Sequence, residues 1–224
     1  MKFDPAIIEA ICFDIDGTIS DTDDIYVQKL EKLLRPVQVL FKVEDLTKLA
    51  RRMVMSFESP ANFLMGLPDL IGLDDEIYAV MDFLARYGRR KSKEFRVIPG
   101  VREMLERIHK KYPLSVVSAR DERTTREFLE ETDLGKYFQF GAYAQTCRHT
   151  KPFPDPILWA SERMGVSPAS CLMVGDTTVD IQSGRSAGAQ TVGVLCGFGE
   201  EDELIQKGAH LILETTADLE NEII

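Results

Sequence analysis

The chain has 224 residues, 44% of them hydrophobic and 29% charged, enough for one substantial core or for a core carrying a smaller inserted domain, and unlike a disordered or fibrous chain. Its formal net charge of −10 works against non-specific nucleic-acid binding and against docking on an anionic membrane, because both draw on a positive field. Neither is expected as a partner, and an anionic substrate must be attracted by a local site and a metal.

The first ten residues carry Asp4 and Glu9 where a signal peptide needs an apolar run. No stretch approaches the roughly 20 apolar residues of a membrane helix. The four cysteines, Cys12, Cys147, Cys171 and Cys196, form no CxxC pair, and Cys12 and Cys171 lie in apolar runs typical of small core residues. A reduced, cytoplasmic protein is expected. The three histidines are dispersed, which makes a His-based zinc site or a Ser–His triad hard to assemble.

In chain order, Ala10–Asp14 reads as a first strand. Residues 21–95 then show no convincing strand. They show helical patterning over Ile25–Leu34, Val43–Met53 and Glu76–Tyr87, broken at Pro36, Pro60, Pro68 and Gly72. This block is expected to be an all-helical cap inserted after strand one. Val97-Ile98-Pro99-Gly100 marks the return, with a turn before a helix over Val101–Lys111. Further strands are expected at Leu114–Ser118, Cys171–Gly175, Thr191–Leu195 and His210–Leu213. Helices are expected at Glu122–Glu131, Pro156–Met164, Val179–Ala187 and Asp202–Lys207. Asp155 and Pro156 suit an N-cap and first turn, and Gly188 a C-cap. Apolar strands without alternation, separated by helices, predict an α/β fold with a mainly parallel, doubly wound sheet, formed by residues 1–20 and 96–224.

Four segments at strand ends carry the candidate chemistry, since ligands in open α/β sheets bind at the carboxyl ends of strands. Asp14-Ile15-Asp16-Gly17-Thr18 follows the first strand. Its two carboxylates could divide the roles of nucleophile or metal ligand and proton carrier, although Asp and Gly are also common turn residues. Ser118, followed by Ala119 and Arg120, offers a hydroxyl and backbone N–H groups to a phosphate oxygen, or serves as a helix N-cap. Lys151, in the run Lys151-Pro152-Phe153-Pro154-Asp155-Pro156, is a positive charge in a loop stiffened by proline, fit to offset crowded carboxylates or merely exposed. Asp176 and Asp180, in Gly175-Asp176-Thr177-Thr178-Val179-Asp180, suit a hard cation, while Thr177 or Thr178 suits an N-cap.

Together, in this order, these segments resemble the haloacid dehalogenase-like hydrolases, whose pattern is DxDGT, then Ser/Thr, then Lys, then GDxxxD. The resemblance covers essentially the whole chain. The Lys-Pro-x-Pro-x-Pro run and the glycine-rich turn around Gly193–Gly199 look most like the phosphoglycolate-phosphatase-type subgroup. It implies a Rossmann-like core with a helical cap and a Mg²⁺-dependent phosphatase acting on a small organophosphate. Asp14 would be the nucleophile and form an aspartyl-phosphate, and Asp16 would protonate the leaving group and then activate water. Asp14, the backbone carbonyl of Asp16, Asp176 and waters would hold Mg²⁺, with Asp180 further out. Ser118 and Lys151 would hold phosphoryl oxygens, helped by the loops of Gly17, Thr18, Ala119 and Arg120.

Asp16 counts against the dehalogenases and phosphonate hydrolases of the family, which lack that second aspartate. A β-phosphoglucomutase-like phosphotransferase keeps all four motifs and stays open, although Tyr26 stands where its histidine is expected. A non-catalytic phospho-ligand-binding module is the alternative from another class. In the cap, Arg51, Arg52, Arg89 and Arg90 could take a second anionic group of the substrate or form a solvated helix face.

Overall fold

A computed structural model describes residues 2–21 and 95–224. They belong to one compact unit, Met1–Asp23 with Phe95–Ile224, and the second unit, Asp24–Glu94, lies outside them. The helical cap expected over 21–95, its arginines and Tyr26 therefore fall outside the described residues, apart from the cap's two ends at Asp21 and Phe95.

Six strands, β1 (Ala10–Phe13), β2 (Leu114–Val117), β3 (Phe140–Ala142), β4 (Cys171–Gly175), β5 (Gln190–Val194) and β6 (Leu211–Leu213), form one sheet. Every pairing is parallel and the order is β3-β2-β1-β4-β5-β6. The order reverses between β1 and β4, and such a reversal opens a crevice at the carboxyl ends of the two strands. Asp14 and Asp176 directly follow these strands.

The described helices are α1 (Val101–Ile108), α2 (Glu122–Glu131), α3 (Asp155–Met164), α4 (Thr178–Ala187), α5 (Glu201–Gln206) and α6 (Leu219–Ile223). Both faces of the sheet are covered, as unbroken apolar strands require. Ile11 and Phe13 of β1 point into one core with Met104 and Leu105 of α1, Phe128 of α2 and Leu219 of α6. Ala10 and Cys12 point the other way, towards Ile157 and Ala160 of α3. Among the described residues, no helix is long and apolar enough to cross a membrane.

The doubly wound parallel sheet is the one the sequence led us to expect, with local differences. Strand β3 was missed. It is a three-residue edge strand with a central glycine, and a Cβ at Gly141 would lie 2.2 Å from the Tyr143 hydroxyl, so aromatic cover replaces the apolar run that marks an inner strand. Helix α1 stops at Ile108, short of Lys111, because the Lys111 N–H takes a tighter i→i−3 bond to the Ile108 carbonyl and Pro113 then has no N–H to continue the helix. Strand β6 starts at Leu211 because the His210 imidazole accepts the Thr191 N–H across the strand end. Asp155 is the first residue of α3 rather than its N-cap, and its carboxylate meets His149 instead. Gly188 does close α4, at φ 82°, and Thr177 opens it.

Candidate active site

The site grows from the loop after β1. Asp14 extends the sheet by one hydrogen bond, its N–H donating to the Val174 carbonyl at 3.0 Å. The chain then turns back at Gly17, whose φ of 73° is a conformation that side chains with a Cβ rarely take. The Ile15 carbonyl gathers the N–H groups of Ile19 and Ser20 at 2.9 and 2.8 Å, with Thr18 more distant. This tight loop buries Asp14 and Thr18 and leaves Asp16 at its rim.

Three carboxylates converge beneath it. Asp14, Asp176 and Asp180 are buried and offer oxygens that all lie within 4.8 Å of one another. The counter-charge is Lys151, whose Nζ stands 2.7 Å from Asp14 Oδ1 and 2.6 Å from Asp180 Oδ1. Asp14 Oδ2 accepts no hydrogen bond from any described residue.

Asp176 is held at both oxygens, by the Thr18 hydroxyl at 3.2 Å and by the Phe198 N–H at 2.9 Å. Asp180 gives Oδ1 to Lys151 and accepts the N–H and hydroxyl of Thr177 on Oδ2, at 3.0 and 2.6 Å. It thereby aims the lysine and caps α4 with one carboxylate.

The electrostatics follow from burial. Three carboxylates share one lysine, so desolvation outweighs Lys151 and raises the Asp14 pKa to about 7, with Asp180 and Asp16 adding to the rise. Burial also pushes Asp176 well above the usual carboxylate range, reinforced by Asp180 and Asp14. Burial alone would lower Lys151, but Asp14 and Asp180 outweigh it and keep the ammonium charged. The cluster is short of positive charge. An all-oxygen donor set with that deficit fits a hard divalent cation, and Asp14, Asp176 and Asp180 are the carboxylates that could hold it.

The other anticipated residues lie around this centre. Ser118 is buried at the end of β2 and its Oγ accepts the Arg120 N–H at 3.2 Å, while Ala119 is exposed beside it. Arg120, anticipated on phosphate, here places its guanidinium on the Asp16 carboxylate. Thr18, also anticipated on phosphate, is fully buried and directs its hydroxyl to Asp176.

Sequence reasoning missed the role of Gly197 and Phe198. A Cβ at Gly197 would lie 2.2 Å from Asp176 Oδ2, so only glycine lets this loop bring the Phe198 N–H onto the carboxylate. The available signal was the glycine spacing at 197 and 199, which bracket that N–H.

Comparisons with known proteins place the chain among relatives of one family. The family model for haloacid dehalogenase-like hydrolases matches residues 11–194. Pyrophosphatase PpaX of Oceanobacillus iheyensis is 28% identical over 216 residues, covering 95% of each chain. Phosphoglycolate phosphatase of Escherichia coli K12 is 25% identical over 229 residues, covering 95% of this chain and 91% of the relative. A haloacid dehalogenase family hydrolase from Deinococcus radiodurans, solved with phosphate and sodium, shares the fold with a TM-score of 0.73 at 20% identity, over 96% of this chain and 94% of its own.

Proposed function

The chain belongs to the haloacid dehalogenase-like hydrolase family, and from that premise we propose that it is a Mg²⁺-dependent phosphatase of small phosphate monoesters, working through an aspartyl-phosphate at Asp14. One observation carries the reading. Asp14 Oδ1 is fixed on Lys151 while its Oδ2 is uncommitted among the described residues, beside Asp176 at the carboxyl ends of β1 and β4 where the strand order reverses.

In this reading Asp14 Oδ2 attacks phosphorus, and the bond from phosphorus to the ester oxygen breaks. Asp16, a third exposed at the rim, gives its proton to the departing oxygen once Arg120 releases it. Asp16 then takes a proton from water as that water attacks the same phosphorus. The bond to Asp14 breaks, phosphate leaves and the carboxylate is restored.

Lys151 faces charge that shifts between Asp14 and the phosphoryl oxygens, and its fixed ammonium needs no reorganisation. The Ser118 hydroxyl, whose oxygen is oriented by the Arg120 N–H, donates to a phosphoryl oxygen. Asp14, Asp176 and the Asp16 carbonyl would hold the metal, and Mg²⁺ there supplies positive charge to the carboxylates and the phosphoryl group.

The phosphoglycolate phosphatase and pyrophosphatase names of the relatives support a small substrate, of the size of phosphoglycolate. The free state of all four cysteines supports a reduced, cytoplasmic setting. The test is hydrolysis of an aryl phosphate with and without Mg²⁺, by the parent and by Asp14→Asn. Metal-dependent turnover that vanishes in the variant is expected. Turnover that survives in Asp14→Asn removes the proposed nucleophile.

A further inference from the structure

The carboxyl-terminal segment after β6 belongs to no motif, yet it reaches the catalytic loop. The Thr216 hydroxyl, fully buried, donates to the Thr18 carbonyl at 2.6 Å. That carbonyl accepts no main-chain N–H from the described residues. Its neighbour, the Gly17 carbonyl, faces among the described residues only the weak Cys196 thiol donor, at 3.5 Å. Thr216 is therefore the strong donor to the outer side of the turn.

The same residue whose carbonyl it holds, Thr18, sends its own hydroxyl to Asp176. A line of hydrogen bonds thus runs from Thr216 to Thr18 to Asp176, the carboxylate whose second oxygen is fixed by the Phe198 N–H.

Thr216 can act as an anchor because its own segment is fixed to the body of the protein. Leu219 and Ile223 of α6 are buried in the core. The Ile223 carbonyl accepts from Lys111 Nζ at 2.9 Å and from the Tyr112 hydroxyl at 3.0 Å. Ala217 packs so closely on the start of α1 that a Cβ at Gly100 would lie 2.9 Å from the Ala217 Cβ. Asp218 turns back to accept the Thr215 N–H, at 3.4 Å.

We infer that Thr216 is a positioning residue for divalent-cation binding: it sets the Thr18 turn, and through it the orientation of Asp176. The inference rests on the metal assignment of the proposed function, but it concerns affinity and not the chemistry. Hydrogen bonds one step out from a metal ligand commonly govern about 10- to 100-fold in affinity or activity. Thr216 acts through one further residue, so the lower end of that range applies.

The experiment titrates Mg²⁺ into the full chain by calorimetry, without substrate and well below the melting temperature, for the parent, Thr216→Val and Thr216→Ser. Valine keeps the shape and removes the donor, and serine restores the donor. Thr216→Val is expected to weaken Mg²⁺ by about 10-fold, with Thr216→Ser within about 2-fold of the parent. At saturating Mg²⁺, the kcat of Thr216→Val is expected to return to near the parent value. A structural role alone would lower the melting temperature and leave the Mg²⁺ affinity unchanged, and that result overturns the inference. So does a serine variant as weak as valine. A parent that binds Mg²⁺ but turns over no phosphate ester removes the phosphatase reading and leaves this one standing. A parent that binds no Mg²⁺ overturns both.

Discussion

Replacing Lys151 with methionine keeps most of the side-chain volume and removes the one positive charge that the described residues place among the three buried carboxylates. Lys151 is 3% exposed and makes two ion pairs, at 2.7 and 2.6 Å, so solvent cannot stand in for it. Breaking a buried ion pair by removing one partner costs about 3–5 kcal/mol, because the remaining charge is left uncompensated. In a chain of this length 1 kcal/mol moves the melting point by about 2–4 °C, so a drop of about 6–20 °C is expected. The loss depends on pH. Asp14 already titrates at about 7, and at lower pH the variant takes up a proton and relieves the repulsion. Thermal unfolding of Lys151→Met and parent, followed at about pH 6 and about pH 8 with and without Mg²⁺, is the assay. The deficit is expected to be largest at the higher pH without metal and smaller when Mg²⁺ is present. Equal melting of the two proteins at the higher pH without metal would refute the electrostatic account of this cluster.

Further outcomes follow from the same geometry. Gly197→Ala places a Cβ 2.2 Å from Asp176 Oδ2, so the carboxylate or the loop must shift; turnover and Mg²⁺ affinity are expected to fall by about 10- to 100-fold with an unchanged circular dichroism spectrum, and parent-like Mg²⁺ binding would contradict this. Asp14 is raised from 3.8 to about 7, chiefly by burial, so the folded state holds a proton that the unfolded chain releases. Without metal the fold is therefore expected to lose stability as pH rises from about 4 through about 7. Mg²⁺ has to displace that proton, so its affinity should climb over the same range, and calorimetry showing a flat profile would count against the shift. Tyr112→Phe removes one of two donors to the buried Ile223 carbonyl and should cost about 1 kcal/mol in urea unfolding. No loss at all would mean that Lys111 satisfies the carbonyl alone.

What could be read from the sequence, and what could not, divides along a physical line. Asp14, Ser118 and Asp176 each stand directly after an apolar run that becomes an inner strand, so strand and chemistry are neighbours in the chain. The sheet was legible for the same reason, since β1 and β4 are continuous apolar stretches and β2 and β5, though they carry Ser115, Gln190 and Thr191, are buried along their whole length. Strand β3 lacks that signature because it lies at the edge with Gly141 at its centre. Helix α6 spans five residues, too few to show a helical period. Roles that depend on approach through space were invisible. The Phe198 N–H reaches Asp176 across 22 residues, and Thr216 reaches Thr18 across 198. The pairing of Arg120 with Asp16, 104 residues apart, depends on where one long side chain comes to rest. Even where a type of residue was singled out, its partner was not: Thr18 was assigned to phosphate as a member of a motif, whereas its burial turns it inward to Asp176.

In the proposed reaction Asp14 becomes covalently phosphorylated during turnover. The most direct measurement is to quench the enzyme with acid while it is hydrolysing an aryl phosphate in Mg²⁺, reduce it with borohydride and map its peptides by mass spectrometry. An acyl phosphate at Asp14 is reduced to homoserine, so the account predicts homoserine at position 14, only when substrate and metal are both present. Sustained turnover with Asp14 unmodified, or with the label on another residue, would contradict it.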